Sequence, residues 1–496
     1  MSVFKFIEKR KAGIVSCLFL SFSSIAQNNH DQWQFDHTLS EAYQYSIALQ
    51  ISRSNDLLDS YSNKQHYGWL YLSHINDVID IFINEDETKF REFEDHTDQR
   101  LEKLRNAPES PFKAFYMAEI KLHKSFLHLK FGEELSAAWN FRQAYRLIKK
   151  NIKEYPGFIY NKKPAGLQHI LIGSAPEKHQ WLLNLLGFEG SVDSGLEELQ
   201  TFSNSNTVYS LETDVLLAFI YSYLMQDHQC GLEIIAKYKD SLQSNLLLNY
   251  ALTSILIKNS QSEEALRELE NFRHKSHISF PFTDYQKGTI LLQKGEYNRS
   301  IRAFRKFLSN HNGMNYIKDA LYKTGINYWM LDNAARTNEF FSQAEARGQS
   351  LTEADKYAVH ALNQPLSDKN ILKLRLFTDG GYYDEARLTV SKIKGTSFAN
   401  EKDRVEFNYR QARLYDKTGK TLQAIGLYKN TILESGDKGW YFAPNSALQL
   451  GYYYETGDNP QKAKEYFELA LSYKNHPYKN SIDNKAKAAL ARLKDK

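Results

Sequence analysis

Six positions recur at fixed intervals along the C-terminal half of this 496-residue chain, and that spacing restricts the fold more than any other feature. In "DYQKGTILLQKGEYNRSIRAFRKFL" they are Gly288, Leu291, Gly295, Ser300, Phe304 and Phe307, at increments of 3, 4, 5, 4 and 3. Ala412, Tyr415, Gly419, Ala424, Tyr428 and Thr431 repeat those increments, as do Gly325, Tyr328, Asp332, Thr337, Phe341 and Ala344. A last copy has Gly451, Tyr454, Ala463, Phe467 and Ala470, with its glycine, Gly457, one place early. Steps of three and four put the early residues on one helix face and the late ones on another. The glycine or aspartate between them suits the point where the chain leaves the first helix, because it tolerates a left-handed backbone. A small residue at 300, 337, 386, 424 or 463 lets two helices approach, and the bulky residue four further on fills the groove. Such a hairpin cannot bury its apolar side alone and must stack on its neighbours.

The anchors Ala265, Ser300, Thr337, Ala386, Ala424 and Ala463 lie 35, 37, 49, 38 and 39 residues apart. Pattern and period resemble the tetratricopeptide repeat, whose basic period is ~34. The resemblance covers about residues 245 to 475 and implies an all-α fold, a right-handed α-α superhelix of helical hairpins. The longest interval predicts an additional helix near 351–362. Residues 214–238 fit one more hairpin, with Gly231 as its small residue and Cys230 at a helix contact, where a buried, inert thiol is expected.

Six of the 24 glycines fall within residues 157–195. No G-x-x-x-x-G-K-[ST] accompanies them, and Gly187, Gly190 and Gly195 follow a helix rather than a strand, so helix caps and close helix packing are predicted. Helices are expected through Leu167 to Ile172 and from Pro176 to Leu186. "IGSAPEKHQWLLNLLGFEGSVDSGLEEL" also resembles the central signature of a eukaryotic tetratricopeptide family linked to inclusion-body clearance. The matching points are Ser174 to Pro176, Gly187-Phe188-Glu189-Gly190, and Gly195-Leu196 to Leu199. That resemblance implies shared helical architecture. Upstream, Gly132, Ala137, Phe141 and Tyr145 suggest a divergent repeat pair.

The first residues read as a secretory signal. Lys5, Lys9, Arg10 and Lys11 precede an apolar run from Ala12 to Ile25, and Ser24-Ile25-Ala26 offers small residues at a cleavage site. Cys17 stands too near the basic start to follow an apolar core, so an ordinary cleaved signal is expected rather than lipidation. Removing residues 1–26 lowers the formal charge from +4 to about +1, which is not the footprint of a nucleic-acid binder. The remaining cysteine, Cys230, has no partner for an intramolecular disulfide. The predicted organisation is therefore a signal peptide (1–26), a divergent helical region (27–156), a glycine-rich connector (157–205), a tetratricopeptide-like superhelix (206–480) and a C-terminal capping helix (481–496). In the last, Ala486, Ala488, Ala489 and Leu493 face the final repeat, while Lys485, Lys487, Arg492 and Lys494 stay in water.

No catalytic or metal motif is evident: there is no G-x-S-x-G elbow, no H-E-x-x-H, no paired C-x-x-C and no EF-hand loop. His123 and His128 lie ~140° apart around a helix and are poor co-ligands. The acidic run "NEDETKFREFEDHTD" (84–98) reads as a solvated helix face. Neither enzyme activity nor a cofactor nor a metal is predicted. In tetratricopeptide domains the first helix of each hairpin lines a concave groove. The resemblance thereby nominates Tyr285, Tyr322 and Tyr409, three places before a repeat's first small residue, and Arg413 and Tyr452, just after one. Tyrosine combines a large apolar ring with a polar tip and suits a partner surface, although it suits repeat packing equally. The Lys and Asn that clamp a terminal carboxylate in the family's chaperone-tail binders are missing. The expected role is an exported scaffold or adaptor binding a protein or peptide partner, periplasmic or peripherally associated with an outer membrane. The alternative is a carbohydrate- or nutrient-binding partner of an outer-membrane transporter.

Overall fold

The computed structural model describes residues 32–175, 187–272, 278–393 and 398–494. The signal segment and the helix expected from Pro176 to Leu186 lie outside them. Among the described residues all regular structure is helical, and most of it is paired into antiparallel hairpins. In the N-terminal half these are α1 (His37–Ile47) with α2 (Ile51–Ser60), α3 (Tyr67–Asn84) with α4 (Glu87–Arg105), and α5 (Pro111–Lys130) with α6 (Glu134–Glu154). Next come α7 (Lys162–Gly173) with α8 (Val192–Ser203), α9 (Ser210–Phe219) with α10 (His228–Ala236), and α11 (Leu246–Lys258) with α12 (Ser262–Asn271). Then follow α13 (Phe282–Lys294) with α14 (Tyr297–Asn310), and α15 (Ile317–Met330) with α16 (Ala334–Ala346) and the extra helix α17 (Glu353–Leu362). The last pairs are α18 (Lys369–Gly380) with α19 (Tyr383–Ile393), α20 (Glu401–Lys417) with α21 (Thr421–Ser435), and α22 (Phe442–Thr456) with α23 (Pro460–Ser472), before the final α24 (Lys479–Lys494).

The small residues of the spacing pattern sit at the hairpin contacts. Ala265, Ser300, Thr337, Ala386, Ala424 and Ala463 are all buried. The bulky residue of each second helix packs on the first small residue of its partner. A methyl group at Gly288 would meet Phe304 at 2.8 Å, at Gly325 Phe341 at 2.5 Å, and at Gly451 Phe467 at 2.4 Å. Gly166 and Gly195 do the same for α7 and α8, each lying where a side chain would strike the other's carbonyl.

The turn obeys a rule that composition hides. Five residues before each buried anchor the backbone is left-handed: Gly132, Gln226, Ser260, Gly295, Asp332, Gly381, Gly419 and Asp458. The residue after it donates its amide back to the carbonyl five places earlier, as from Glu296 to Leu291 (2.9 Å), Lys420 to Tyr415 (2.8 Å) and Asn459 to Tyr454 (2.9 Å), except after Gln226, where Asp227 reaches Tyr221, six places back, across the wider turn. This closes the orphan carbonyls of the first helix. Gly457 is therefore not the turn residue of the last repeat. Asp458 takes that place in register, tolerable because a short polar side chain visits this region at modest cost. Leu49 and Glu85 hold the corresponding left-handed positions between α1 and α2 and between α3 and α4, so hairpins of this kind extend through the N-terminal half.

Two further expectations are corrected. Glu85, in the acidic run assigned to solvent, is buried. It pairs with Lys130 at 2.7 Å and accepts from the amides of Met314 and Asn315 at 3.0 and 3.1 Å, while Phe90 and Phe93 of the same run enter the core. And α24 does more than cover the last repeat. Ala486 and Ala489 are buried against α22 and α23 and Ala488 is buried too, but the helix also touches α8 and the wide π-helical turn Ile220–Met225 that ends α9. The array is thus clasped twice, Glu85 to residues 314–315 and α24 to the middle of the chain, around an internal lumen.

Candidate functional site

The nominated residues do not form one row. Tyr409 is buried, with its hydroxyl accepting from Asn445, and its ring packs in the core with Phe442 and Tyr428. It is a repeat-packing residue. Tyr285 donates to Asp319 and accepts from Lys323 (2.9 Å), edge-on to Phe307 and Tyr316. Tyr322 stacks on Phe341 and lines a small cavity with Tyr357, Arg375 and Tyr441.

Arg413 and Tyr452 do converge. They line one cavity of about 600 Å³, with α20 and α22 on one side and the turn from Tyr221 to His228 opposite. Arg413 Nη1 donates to Gln449 (3.0 Å) and pairs with Asp416 (3.3 Å). Arg492 of α24 is held by Glu455 through two bonds of 3.0 and 2.8 Å, leaving its Nη1 buried without a partner. The hydroxyl of Tyr452 and Nδ1 of His228 are also buried and unpartnered. Buried polar groups are ordinarily satisfied, so three orphans in one cavity mark a place built to be filled.

The electrostatics agree. Burial, followed by the charge of Arg413, pulls the Lys417 ammonium down to about 8. Burial also lowers Lys258 and Lys485, and each is lowered further by Arg413. Burial and these three lysines push His228 down to about 4, so it is neutral at pH 7. None of the three lysines has a carboxylate within ion-pair distance among the described residues, and Lys258 rests near the Tyr223 ring. Of the residues expected in bulk water, Arg492 lines this cavity and Lys485 is largely buried near it. The acids nearby are Asp227, Asp379, Asp416 and Glu455, of which Asp379 pairs with Arg375 (3.6 Å), Asp416 with Arg413 and Glu455 with Arg492.

The remaining groups read as packing. His123 shares a hydrogen bond with His74 (3.3 Å), whereas His128 faces Glu133 (2.8 Å) and Glu94 (3.3 Å). Among the described residues no cluster of three or more His, Cys, Asp or Glu side chains could hold a metal, and no helix is long and apolar enough to cross a membrane. Cys230 is partly buried beside Asp227 and Glu233, and burial raises its thiol.

Comparison with protein families finds one match. Residues 444–477, spanning α22 and α23, match the tetratricopeptide repeat family. That segment is a tetratricopeptide repeat, and the hairpins before it share its turn and packing geometry. No curated protein matches the chain. Among solved structures it is similar to a human IFIT1 dimer with m7Gppp-AAAA (14% identity, TM-score 0.36, covering 90% of this chain and 92% of that one). It is also similar to the apo quorum sensor NprR from B. thuringiensis (11%, 0.28, 88% and 97%). A third is a Rap protein complexed with competence and sporulation factor (12%, 0.24, 92% and 96%). Similarity at this level carries no argument about ligands. The tetratricopeptide fold is an interaction scaffold and typically not catalytic.

Proposed function

We propose that this tetratricopeptide protein is an exported scaffold or adaptor of a bacterial cell envelope, and that its lumen grips an acidic segment of a protein partner. The observation that carries the binding half is the cavity at Arg413 and Tyr452, where unpartnered polar groups and Lys417, a lysine without a counter-ion, face one space, with Lys258 and Lys485 adding positive charge nearby. An incoming carboxylate would satisfy Tyr452 and Arg492 and relieve the repulsion among Lys258, Lys417 and Lys485. Charge-assisted hydrogen bonds of this kind are about twice as strong as neutral ones. Export is supported by the basic start, the apolar run and Ser24-Ile25-Ala26.

The binding test is fluorescence anisotropy with a labelled Glu-rich decapeptide, against a Lys-rich control, on the mature chain. Saturable binding of the acidic peptide alone is expected, weakened about tenfold or more by Arg413→Ala or Lys417→Ala. Because binding favours charged Lys417, affinity falls as pH rises through about 8. Equal binding of both peptides, or a flat pH profile, would sink the assignment. Cell fractionation with intact-mass analysis tests export, the expected mature N-terminus being Gln27. Protein retained in the cytoplasm with residues 1–26 intact overturns it.

A further inference from the structure

The lumen has a second, chemically different compartment. Between the N-terminal hairpins and the 246–282 region lies a cavity of about 740 Å³, within the range of about 300–1,000 Å³ typical of small-molecule sites. Its wall is mainly hydrocarbon, including Ile79, Phe82, Phe126, Leu129, Leu247 and Phe282. Phe82 and Leu129, both in this wall, are 46% and 49% exposed.

The polar groups in the wall narrow the ligand further. Lys130 is neutralised by Glu85 at 2.7 Å, Glu212 is held by Lys163 and Tyr43, and Thr352 donates to Asp355 at 2.7 Å. His123 shares its hydrogen bond with His74. Asn315 is different. Its amide nitrogen donates to Glu85 (3.0 Å) and to the Lys130 carbonyl (3.2 Å), both acceptors, which fixes the orientation of the group. Its Oδ1 is left buried with no partner. An extended peptide would bring an N–H and a C=O with every residue into a wall that cannot satisfy them. A carboxylate would meet Glu85, Glu212 and an acceptor oxygen.

We propose that this compartment binds an uncharged hydrocarbon ligand with a single hydroxyl, a neutral lipid alcohol, whose O–H donates to Asn315 Oδ1. The inference stands apart from the charged cavity, with which this compartment shares no lining residue.

The test uses the full mature chain and diphenylhexatriene, an uncharged hydrocarbon whose fluorescence rises in apolar surroundings. Saturable probe uptake is expected, displaced by 1-hexadecanol at least tenfold more effectively than by palmitate. Filling the cavity with Leu247→Trp, or with Val78→Trp elsewhere in its lining, should abolish uptake while the acidic decapeptide still binds; either variant suffices if its melt shows it folded. Asn315→Leu should reduce hexadecanol displacement about tenfold and leave the probe itself unaffected. No saturable uptake, or uptake indifferent to both folded filling variants, overturns the site. Equal displacement by alcohol and fatty acid, or indifference to Asn315→Leu, overturns the hydroxyl assignment.

Discussion

Lys417 shows how a lumen differs from an outer face of the same helix. Its ammonium sits at about 8 instead of 10.5, first through burial and then through Arg413. The unfolded chain restores the ordinary value, so between those two values it binds a proton that the folded chain has released. Stability therefore rises with pH across that window, and the cost of charging Lys417 is felt in full below it. Lys417→Met should stabilise the protein at pH 7 by on the order of 1–3 kcal/mol, with the gain fading above pH ~10. Urea melts at the two pH values check this; an equal gain at both would show that the effect is packing alone. Tyr452→Phe removes a buried hydroxyl that has no partner. It should leave stability unchanged or raise it by up to about 1 kcal/mol, and should weaken acidic-peptide binding. An ordinary hydrogen-bonded tyrosine would do the reverse for stability.

At the scale of the helical hairpin, most of the fold was legible. The small anchors at 300, 424 and 463 and their aromatic followers are spaced by helix geometry, which sequence displays directly. Ala424→Leu and Ala463→Leu should each cost about 1–3 kcal/mol by overpacking, read as lowered thermal midpoints, whereas Leu422→Ala on the exposed face should not. The turns were only partly legible. Glycine advertises a left-handed residue, but Gln226, Ser260 and Asp458 adopt the same conformation because the five-residue offset to the anchor demands it. Gly381 is the strictest case. A methyl there would lie 1.9 Å from the Ser260 carbonyl oxygen at φ +85°, so Gly381→Ala should cost more than the ~1 kcal/mol of the left-handed backbone alone. A thermal melt within a degree of the parent would refute the contact between these two turns.

At the scale of the whole molecule, sequence reasoning ran out where closure begins. Arg413 and Tyr452 could be nominated because repeat register assigns them to the inner wall. Their companions could not, since His228 arrives from a hairpin nearly 190 residues earlier and Arg492 from a helix assigned to the outside. Local periodicity carries no information about which distant elements meet. The same applies to Glu85, whose burial depends on residues 314 and 315. Deleting residues 481–494 should lower the thermal midpoint and speed hydrogen exchange not only in α23 but also in α8 and in residues 220–225. Protection lost in the last repeat alone would show that α24 is a simple cap.

An open solenoid can gain or lose a unit at its end with only the neighbour noticing. Two clasps change that. Glu85 must reach residues 314 and 315, and α24 must reach the end of α9, so the number of hairpins between each pair of contacts is fixed by circumference. Inserting or removing one hairpin between residues 226 and 313 would move both clasps out of reach, and elsewhere within either interval it would break one, whatever the quality of the added repeat. The period of this protein can drift in sequence while its repeat count cannot, much as a belt tolerates worn links but not an extra one.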